Sequence, residues 1–263
     1  MLSRSSNLRE KLRKGLYPYY RLTAPLRPLP NAVIIGGMKC GTTSLNAWLR
    51  DRPGVAFSSV KEIHFFDKQF DKGEAWYRSH FPILETVLGA RCVIEATPSY
   101  LYRADSVAPR MQAMIPEARL VVMLRDPIKR AISQYGHHVR HGKEERTLAE
   151  ALLSNTGSNP KNPNHYKCRG LYAQQIKRFL QHYDRSQLMV IKSEEFFADP
   201  ATVYAQVQRF IGLDPVPLKA SSKPRNVGQK QHTVPDEVIA HLADYYRQPN
   251  RELSELLPDF PIW

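Results

Sequence analysis

Residues 33–44 read VIIGGMKCGTTS: an apolar run, two glycines, a lysine, a third glycine and three hydroxyl residues. An apolar strand ending in glycine and followed by a helix start presents backbone N–H groups, backed by the helix dipole, to an anion. A loop built for a nucleoside triphosphate needs Gly, four residues, then Gly-Lys-Ser/Thr, so that the lysine meets the β- and γ-phosphates. Gly36 and Gly41 have that spacing, but Thr42 stands where the lysine belongs. The lysine available is Lys39, two residues before the second glycine, where the loop would arch over a bound phosphate. The stretch therefore predicts a phosphoryl ligand other than a triphosphate, with Thr42, Thr43 and Ser44 as added hydroxyl donors. An ordinary strand-to-helix turn capped by Thr42 is the plainer alternative.

The flanking sequence supplies the frame for this turn. Apolar runs with strand character lie at 32–36, 55–57, 92–96, 119–124 and 187–191. Between them, 42–50, 106–115, 128–140, 171–182, 201–211 and 235–257 carry apolar residues three and four apart, with proline or glycine marking many of their limits. Alternation of strand and helix predicts an α/β fold: a single domain with a mostly parallel five-stranded sheet, helices on both faces and a P-loop-like nucleotide-binding loop. Ligands of such sheets sit at the carboxyl ends of the strands, where the turn lies. A length of 263 residues with 42% apolar content fits one such domain, taken as 31–263, preceded by a basic N-terminal arm, 1–30.

Charge narrows the ligand to an anion without naming it. Lysine and arginine number 38 against 25 acidic residues, so the surface potential favours anions. Zinc-finger spacing, RNP-like aromatics and a basic region followed by heptads are all missing, so nucleic acid is not the expected partner. Residues 1–30 hold seven Lys/Arg and the single acid Glu10, together with Leu8, Leu12 and Leu16. This arm reads as a solvated extension packed on the domain, or as a surface helix making peripheral contact with anionic lipid. The three cysteines, Cys40, Cys92 and Cys168, form no CxxC pair. No apolar stretch reaches the roughly 18 residues that span a bilayer, and no signal-peptide pattern opens the chain. A soluble, cytoplasmic protein is the expectation. Oligomeric state is not legible.

Two further runs carry chemistry. Lys61-Glu62-Ile63-His64-Phe65-Phe66-Asp67 follows the second strand, and in an extended segment Glu62 and His64 project to one side. A carboxylate beside an imidazole suits proton abstraction; a solvated strand end is the bland reading. Arg125-Asp126-Pro127 closes the apolar run LVVML and leads into a helix bearing Arg130 and Ser133. Arg125 would emerge at the same sheet edge as the glycine loop, and with Ser133 it makes a second phosphate site. An Arg-Asp turn that pairs with itself is the alternative there.

Together these stretches resemble the sulfotransferases that use 3′-phosphoadenosine 5′-phosphosulfate, particularly the heparan sulfate sulfotransferase branch and its bacterial relatives. The resemblance runs from about Ala32 to Trp263. It is carried by IIGGMKCGTTSL, KEIHFFD, EATPSY, MLRDPIKRAISQY, RGLYAQQIKRFL, SQLMVIKSEEFFADP, PRNVGQ, NRELSELL and DFPIW. It implies that the donor is a co-substrate whose 5′-phosphosulfate lies on Lys39, Cys40, Gly41, Thr42, Thr43 and Ser44, while Arg125 and Ser133 hold the 3′-phosphate. Lys39 would stabilise charge on the bridging oxygen, Glu62 would act as general base and His64 would assist it. Arg169 and Arg225 are implied in closing over the 3′-phosphate, a solvated loop charge being the alternative for Arg225. No metal is implied. The acceptor is expected to be a hydroxyl of a saccharide or another small alcohol.

The heparan enzymes typically show Glu-Lys-Ser/Thr-Pro where this chain has Glu95-Ala96-Thr97-Pro98. Tyr100 and Tyr102 just beyond are candidates to stack on a flat acceptor. A P-loop nucleotide kinase and a non-catalytic binder of anionic glycans are the competing functions. The missing Gly-Lys-Ser/Thr and the second phosphate site count against the kinase, and only net charge supports the binder.

Overall fold

The computed structural model describes residues 15, 17–83, 88–154, 165–219 and 234–263. Five strands, β1 (Ala32–Gly36), β2 (Val55–Phe57), β3 (Cys92–Ala96), β4 (Arg119–Leu124) and β5 (Leu188–Lys192), form one sheet of order β2-β3-β1-β4-β5. Every pairing is parallel. The α-helices among the described residues are α1 (Tyr17–Leu22), α2 (Thr42–Arg50), α3 (Phe65–Lys68), α4 (Gly73–Arg78), α5 (Ala104–Met114) and α6 (Pro127–Arg140). After these come α7 (Leu148–Leu153), α8 (Tyr172–Leu180), α9 (Ser193–Ala198), α10 (Pro200–Phe210) and α11 (Asp236–Leu256).

All five residues of β1 are buried, because side chains alternate between two covered faces. Val33 and Ile35 join Leu120, Val122 and Leu124 in a core shared with α5 and α8. Ala32 and Ile34 face the opposite way, with Val121 and Met123, into a core built on Leu45 and Trp48 of α2 and on Phe196 and Tyr204. A third cluster joins α6, α7 and α11 through Tyr135, Leu152 and Leu242. The expected fold, a five-stranded parallel sheet sandwiched by helices, is the one observed.

The strand order sets the location of the site. From β1 the chain travels to β2 and β3 on one side and to β4 and β5 on the other, so the crossover direction switches between β1 and β4. Connections diverge at such a point and leave a crevice at the carboxyl edge. The glycine turn leaves β1 and Arg125 leaves β4 at this crevice, and the Glu95–Tyr100 stretch leaves β3 beside it.

The described part of the N-terminal arm is fastened down. Arg27 is 7% exposed, donates from Nη1 to the Phe81 carbonyl at 2.6 Å, and its own carbonyl accepts from Arg78 on α4 at 2.5 Å. Residues 1–14, most of the basic arm, lie outside the described residues, as do 155–164 and 220–233.

Candidate active site

The glycine turn is shaped by contacts that leave no room for side chains at two positions. A Cβ on Gly36 would stand 2.4 Å from Leu101 Cβ. Gly41, at φ 96°, is the N-cap of α2, and a Cβ there would come within 3.0 Å of Phe197. Glycine alone adopts that conformation without strain. Between them, the Gly37 N–H donates to the Met123 carbonyl at 2.6 Å and the Cys40 N–H to the Gly37 carbonyl at 3.2 Å. The N–H groups of Lys39, Gly41, Thr42 and Thr43 have no acceptor among the described residues. Four donors at a helix N-terminus, reinforced by the dipole, fit a phosphate or phosphosulfate group.

The side chains divide their roles. Lys39 takes a left-handed backbone, φ 68°, and is half-buried. Burial, then the charges of Arg140 and Arg125, holds its ammonium below the usual lysine range. Cys40 is buried, its Sγ 3.9 Å from the Tyr172 hydroxyl. Burial pushes this thiol up to about 11, so it stays neutral and only its backbone faces the turn. Thr42 and Ser44 are buried, and Thr43 Oγ1 accepts from Lys61 Nζ at 3.0 Å.

Arg125 arrives at the same edge, as expected: its Nη1 lies 3.5 Å from the Lys39 carbonyl oxygen, and its own carbonyl accepts from Tyr172 at 2.9 Å. Asp126 does not pair with Arg125. It caps α6 instead, accepting from Ile128 N at 2.8 Å and Lys129 N at 3.3 Å, with Pro127 as the first helical residue. Ser133 is half-buried on α6.

Glu62 and His64 meet, though not on an extended segment. Both have left-handed backbones, φ 58° and 56°, and β2 has already ended at Phe57. The Glu62 N–H donates to the Ala96 carbonyl at 3.1 Å, so the backbone of β3 places this residue whatever side chain stands at 96. Glu62 Oε2 then lies 3.8 Å from His64 Nε2 and Oε1 lies 3.2 Å from Lys61 Nζ. On its other side the His64 ring meets Asp67, with Nδ1 3.0 Å from Oδ2. Ser99 lies 3.2 Å from the same nitrogen and donates to Asp67 at 2.7 Å. Burial raises the Asp67 carboxyl, but hydrogen bonds from His64 and Ser99 outweigh it and leave the group below its ordinary value. An ionised Asp67 keeps the proton on Nδ1 and turns Nε2 toward Glu62.

Sequence reasoning missed Asp67 and Ser99 as site residues. The signal was present: Asp67 closes the quoted KEIHFFD run and Ser99 lies in EATPSY. It missed Glu95 as well. This carboxylate is wholly buried and accepts from Tyr77 at 2.5 Å, Thr97 at 2.7 Å and Tyr100 at 2.8 Å. Burial raises its pKa while the three hydroxyls oppose the rise. The Tyr100 oxygen in turn accepts from the N–H groups of Phe65 and Phe66 at 3.0 and 3.3 Å, which anchors α3 and with it Asp67. Tyr100 is thereby committed to the interior and has no face for an acceptor. Tyr102 is likewise covered, with the Arg169 guanidinium 4.4 Å and that of Arg103 5.4 Å from its ring centroid.

Arg169 lies near Arg130, Tyr102, Arg103 and Asp67, and no contact joins it to Arg125 among the described residues. Burial and the charge of Arg130 lower its pKa to about 10. Arg225 lies outside the described residues. A further neighbour of Lys39 is His137 on α6, pushed down to about 4 by burial and then by the Lys39 charge, and therefore neutral near pH 7.

A sulfotransferase domain model matches residues 29–227, which takes in the glycine turn, the Glu62–Asp67 segment and Arg125. The chain belongs to the sulfotransferase family. Among curated relatives of this sulfotransferase, human heparan sulfate glucosamine 3-O-sulfotransferase 6 is 32% identical over 254 residues, covering 88% of this chain and 72% of that protein. Human heparan sulfate glucosamine 3-O-sulfotransferase 3B1 is 30% identical over 253 residues, covering 88% of this chain and 64% of that protein. The chain thus spans a little under two thirds of the length of that relative. The crystal structure of a sulfotransferase from Alicyclobacillus acidocaldarius superposes with a TM-score of 0.77 at 28% identity, covering 89% of this chain and 98% of that one. The expected family and its heparan sulfate sulfotransferase-like character both stand. No helix among the described residues is long and apolar enough to cross a membrane.

Proposed function

We propose that the protein moves the sulfuryl group of 3′-phosphoadenosine 5′-phosphosulfate to a saccharide hydroxyl by in-line displacement. One observation carries the reading. Lys61 Nζ reaches Thr43 of the donor turn at 3.0 Å and Glu62 at 3.2 Å, so the carboxylate base stands one side chain away from the phosphate cradle. Glu62 takes the proton of the acceptor hydroxyl as its oxygen bonds to sulfur. The bond from sulfur to the bridging phosphate oxygen breaks, and adenosine 3′,5′-bisphosphate leaves. Lys39 and the free N–H groups of the α2 N-terminus meet the charge that develops on that oxygen. His64, turned by Asp67 and Ser99, presents its unprotonated Nε2 to Glu62 and can take over the proton that Glu62 removes.

Arg125 and Ser133 hold the 3′-phosphate in this scheme, with Arg225 as a further contact. A saccharide acceptor is favoured by the names of the relatives, which act on heparan sulfate glucosamine, and by the 13 excess positive charges. None of the three cysteines is in a disulfide, which suits a reducing cytoplasm. Residues 31–263 form the catalytic domain in this reading, with 1–30 as an appended arm.

Thermal-shift titration tests the donor class. Adenosine 3′,5′-bisphosphate should raise the melting temperature, and ATP with magnesium should not. Radiolabelled transfer to glycans should then appear with wild type and fall about 10²-fold in Glu62→Gln. Stabilisation by ATP and magnesium with none by the bisphosphate would refute the assignment.

A further inference from the structure

The segment that joins the basic arm to the domain sorts its side chains against the usual partition. Its backbone is helical: the Thr23 N–H donates to the Tyr19 carbonyl at 3.0 Å and the Leu26 N–H to the Thr23 carbonyl at 3.1 Å, through α1 and the 3₁₀ turn Ala24–Leu26. Residues three and four apart on such a path share a side. On one side Ala24 is buried, and Arg27, fastened to Phe81 and Arg78 as described above, donates from Nε to Thr23 Oγ1 at 3.2 Å and lies 4.7 Å from the Tyr20 ring centroid. On the other side Tyr19, Leu22 and Leu26 are 54%, 82% and 73% exposed. An arginine is inside and two leucines are outside. Leucine is among the residues most often buried and arginine among the least, so packing on the domain does not account for the outer side.

A lone exposed leucine is ordinary. Here three apolar side chains share one side, and the sequence carries the same spacing backwards, with Leu16, Leu12 and Leu8 preceding Tyr19 by steps of three, four and four. Interleaved with them are Arg9, Lys11, Arg13, Lys14 and the exposed Arg21, while Glu10 is the single acid before residue 31. An apolar stripe edged by cations matches the boundary of an anionic bilayer, where leucine and tyrosine enter among the acyl chains and lysine and arginine meet lipid phosphates. A second copy of this chain matches it poorly. It would bring a like charge to the surface, since Lys and Arg number 38 against 25 acids.

We propose that this face is a peripheral docking surface for an anionic lipid bilayer, with Tyr19, Leu22 and Leu26 inserted and the cations of the arm set against the lipid phosphates. Because Arg27 ties the segment to Phe81 and Arg78, the docked face carries the domain with it. The inference stands apart from the sulfuryl-transfer reading, since none of these residues belongs to the site.

Co-sedimentation of the full chain with sucrose-loaded vesicles tests it. Vesicles of phosphatidylcholine and phosphatidylglycerol in equal parts should pellet the protein in low salt, and pure phosphatidylcholine should leave it in solution. Raising salt from about 0.1 M to about 1 M shortens the screening length from about 10 Å to about 3 Å and should release most of the bound protein. The double variant Leu22→Ser, Leu26→Ser should partition onto the anionic vesicles at least about tenfold more weakly, because both buried apolar areas are forfeited. Its melting temperature should match wild type, as both positions are exposed. Leu22→Glu sets a negative charge against the lipid at the most exposed of these positions and keeps the test open should the double variant fold poorly. Wild type that ignores anionic vesicles, binds neutral ones equally, or binds no better than both variants overturns the docking surface. So does wild type that self-associates in sedimentation velocity while the double variant stays monomeric, since a second copy would then cover the face.

Discussion

Replacing Tyr100 with phenylalanine should loosen the site from beneath. The Tyr100 hydroxyl uses its full capacity: it donates to Glu95 at 2.8 Å and accepts from Phe65 and Phe66 N–H at 3.0 and 3.3 Å. Its deletion removes one donor from a buried carboxylate, worth about 2 kcal/mol, and strands backbone N–H groups at about 1–2 kcal/mol more. The sum is about 3–4 kcal/mol. Tyr77→Phe is the matched control, since Tyr77 donates to the same carboxylate at 2.5 Å and supports no backbone group, so its loss should stop at about 2 kcal/mol. At about 2–4 °C per kcal/mol for a chain of this size, the melting temperature should fall on the order of 10 °C for Tyr100→Phe and about half that for Tyr77→Phe. Turnover should fall further in the first variant because α3 carries Asp67. Urea denaturation at pH 7 paired with sulfuryl-transfer rates measures both. Equal losses in the two variants, or a Tyr100→Phe protein within 1 kcal/mol of wild type, would refute the account of how this segment is anchored.

Other outcomes follow from the same geometry. Lys39→Ala should cut turnover by about 10² while leaving the fold intact, the scale of a lost charge stabiliser; single-turnover rates at saturating donor would read it. Arg125→Ala should weaken adenosine 3′,5′-bisphosphate and spare the 5′-monophosphate, and equal losses by calorimetry would displace the 3′-phosphate site. Glu144 takes hydrogen bonds from Arg146 at 2.9 and 2.7 Å and from Tyr166 at 2.9 Å, which hold its carboxyl at about 2 despite burial. Because the folded value lies below the unfolded one, its stabilisation is full above about pH 4.5 and disappears as pH falls toward 2. Melting curves between pH 7 and 2.5 should show that limb in wild type and a shallower one in Glu144→Gln.

The frame was legible because strands and long helices announce themselves locally. Four of the five strands fall at the expected residues, and the fifth is displaced by one, at Leu188–Lys192. The α2 helix falls on its expected 42–50. The short helices α3, α4, α7 and α9 were not foreseen, since four to six residues have too little periodicity to read and are held by packing. Lys39, Arg125, Glu62 and His64 were each singled out by residue type and position, and the family resemblance alone joined them as one expected site. The left-handed backbones of Glu62 and His64 were not, because neither residue signals one. The support of Glu95 by Tyr77, Thr97 and Tyr100 could not be read either: Tyr77 is 18 residues away in sequence, and only the fold brings it under β3. The placement of Arg169 beside Tyr102, 67 positions apart by residue number, is hidden for the same reason.

Three side chains to which the proposed function gives the chemistry, Lys39, Glu62 and His64, are mounted on backbone with φ between 56° and 68°. Such conformations cost non-glycine residues about 1–3 kcal/mol each. Glycine would be at ease in all three positions, even after its own entropic penalty of about 0.5–1 kcal/mol. A directed-evolution campaign that rewards heat tolerance and ignores catalysis should therefore drift toward glycine at these places and yield hardier, inert descendants. Thermal robustness and chemistry pull in opposite directions here, at three addresses that can be named in advance.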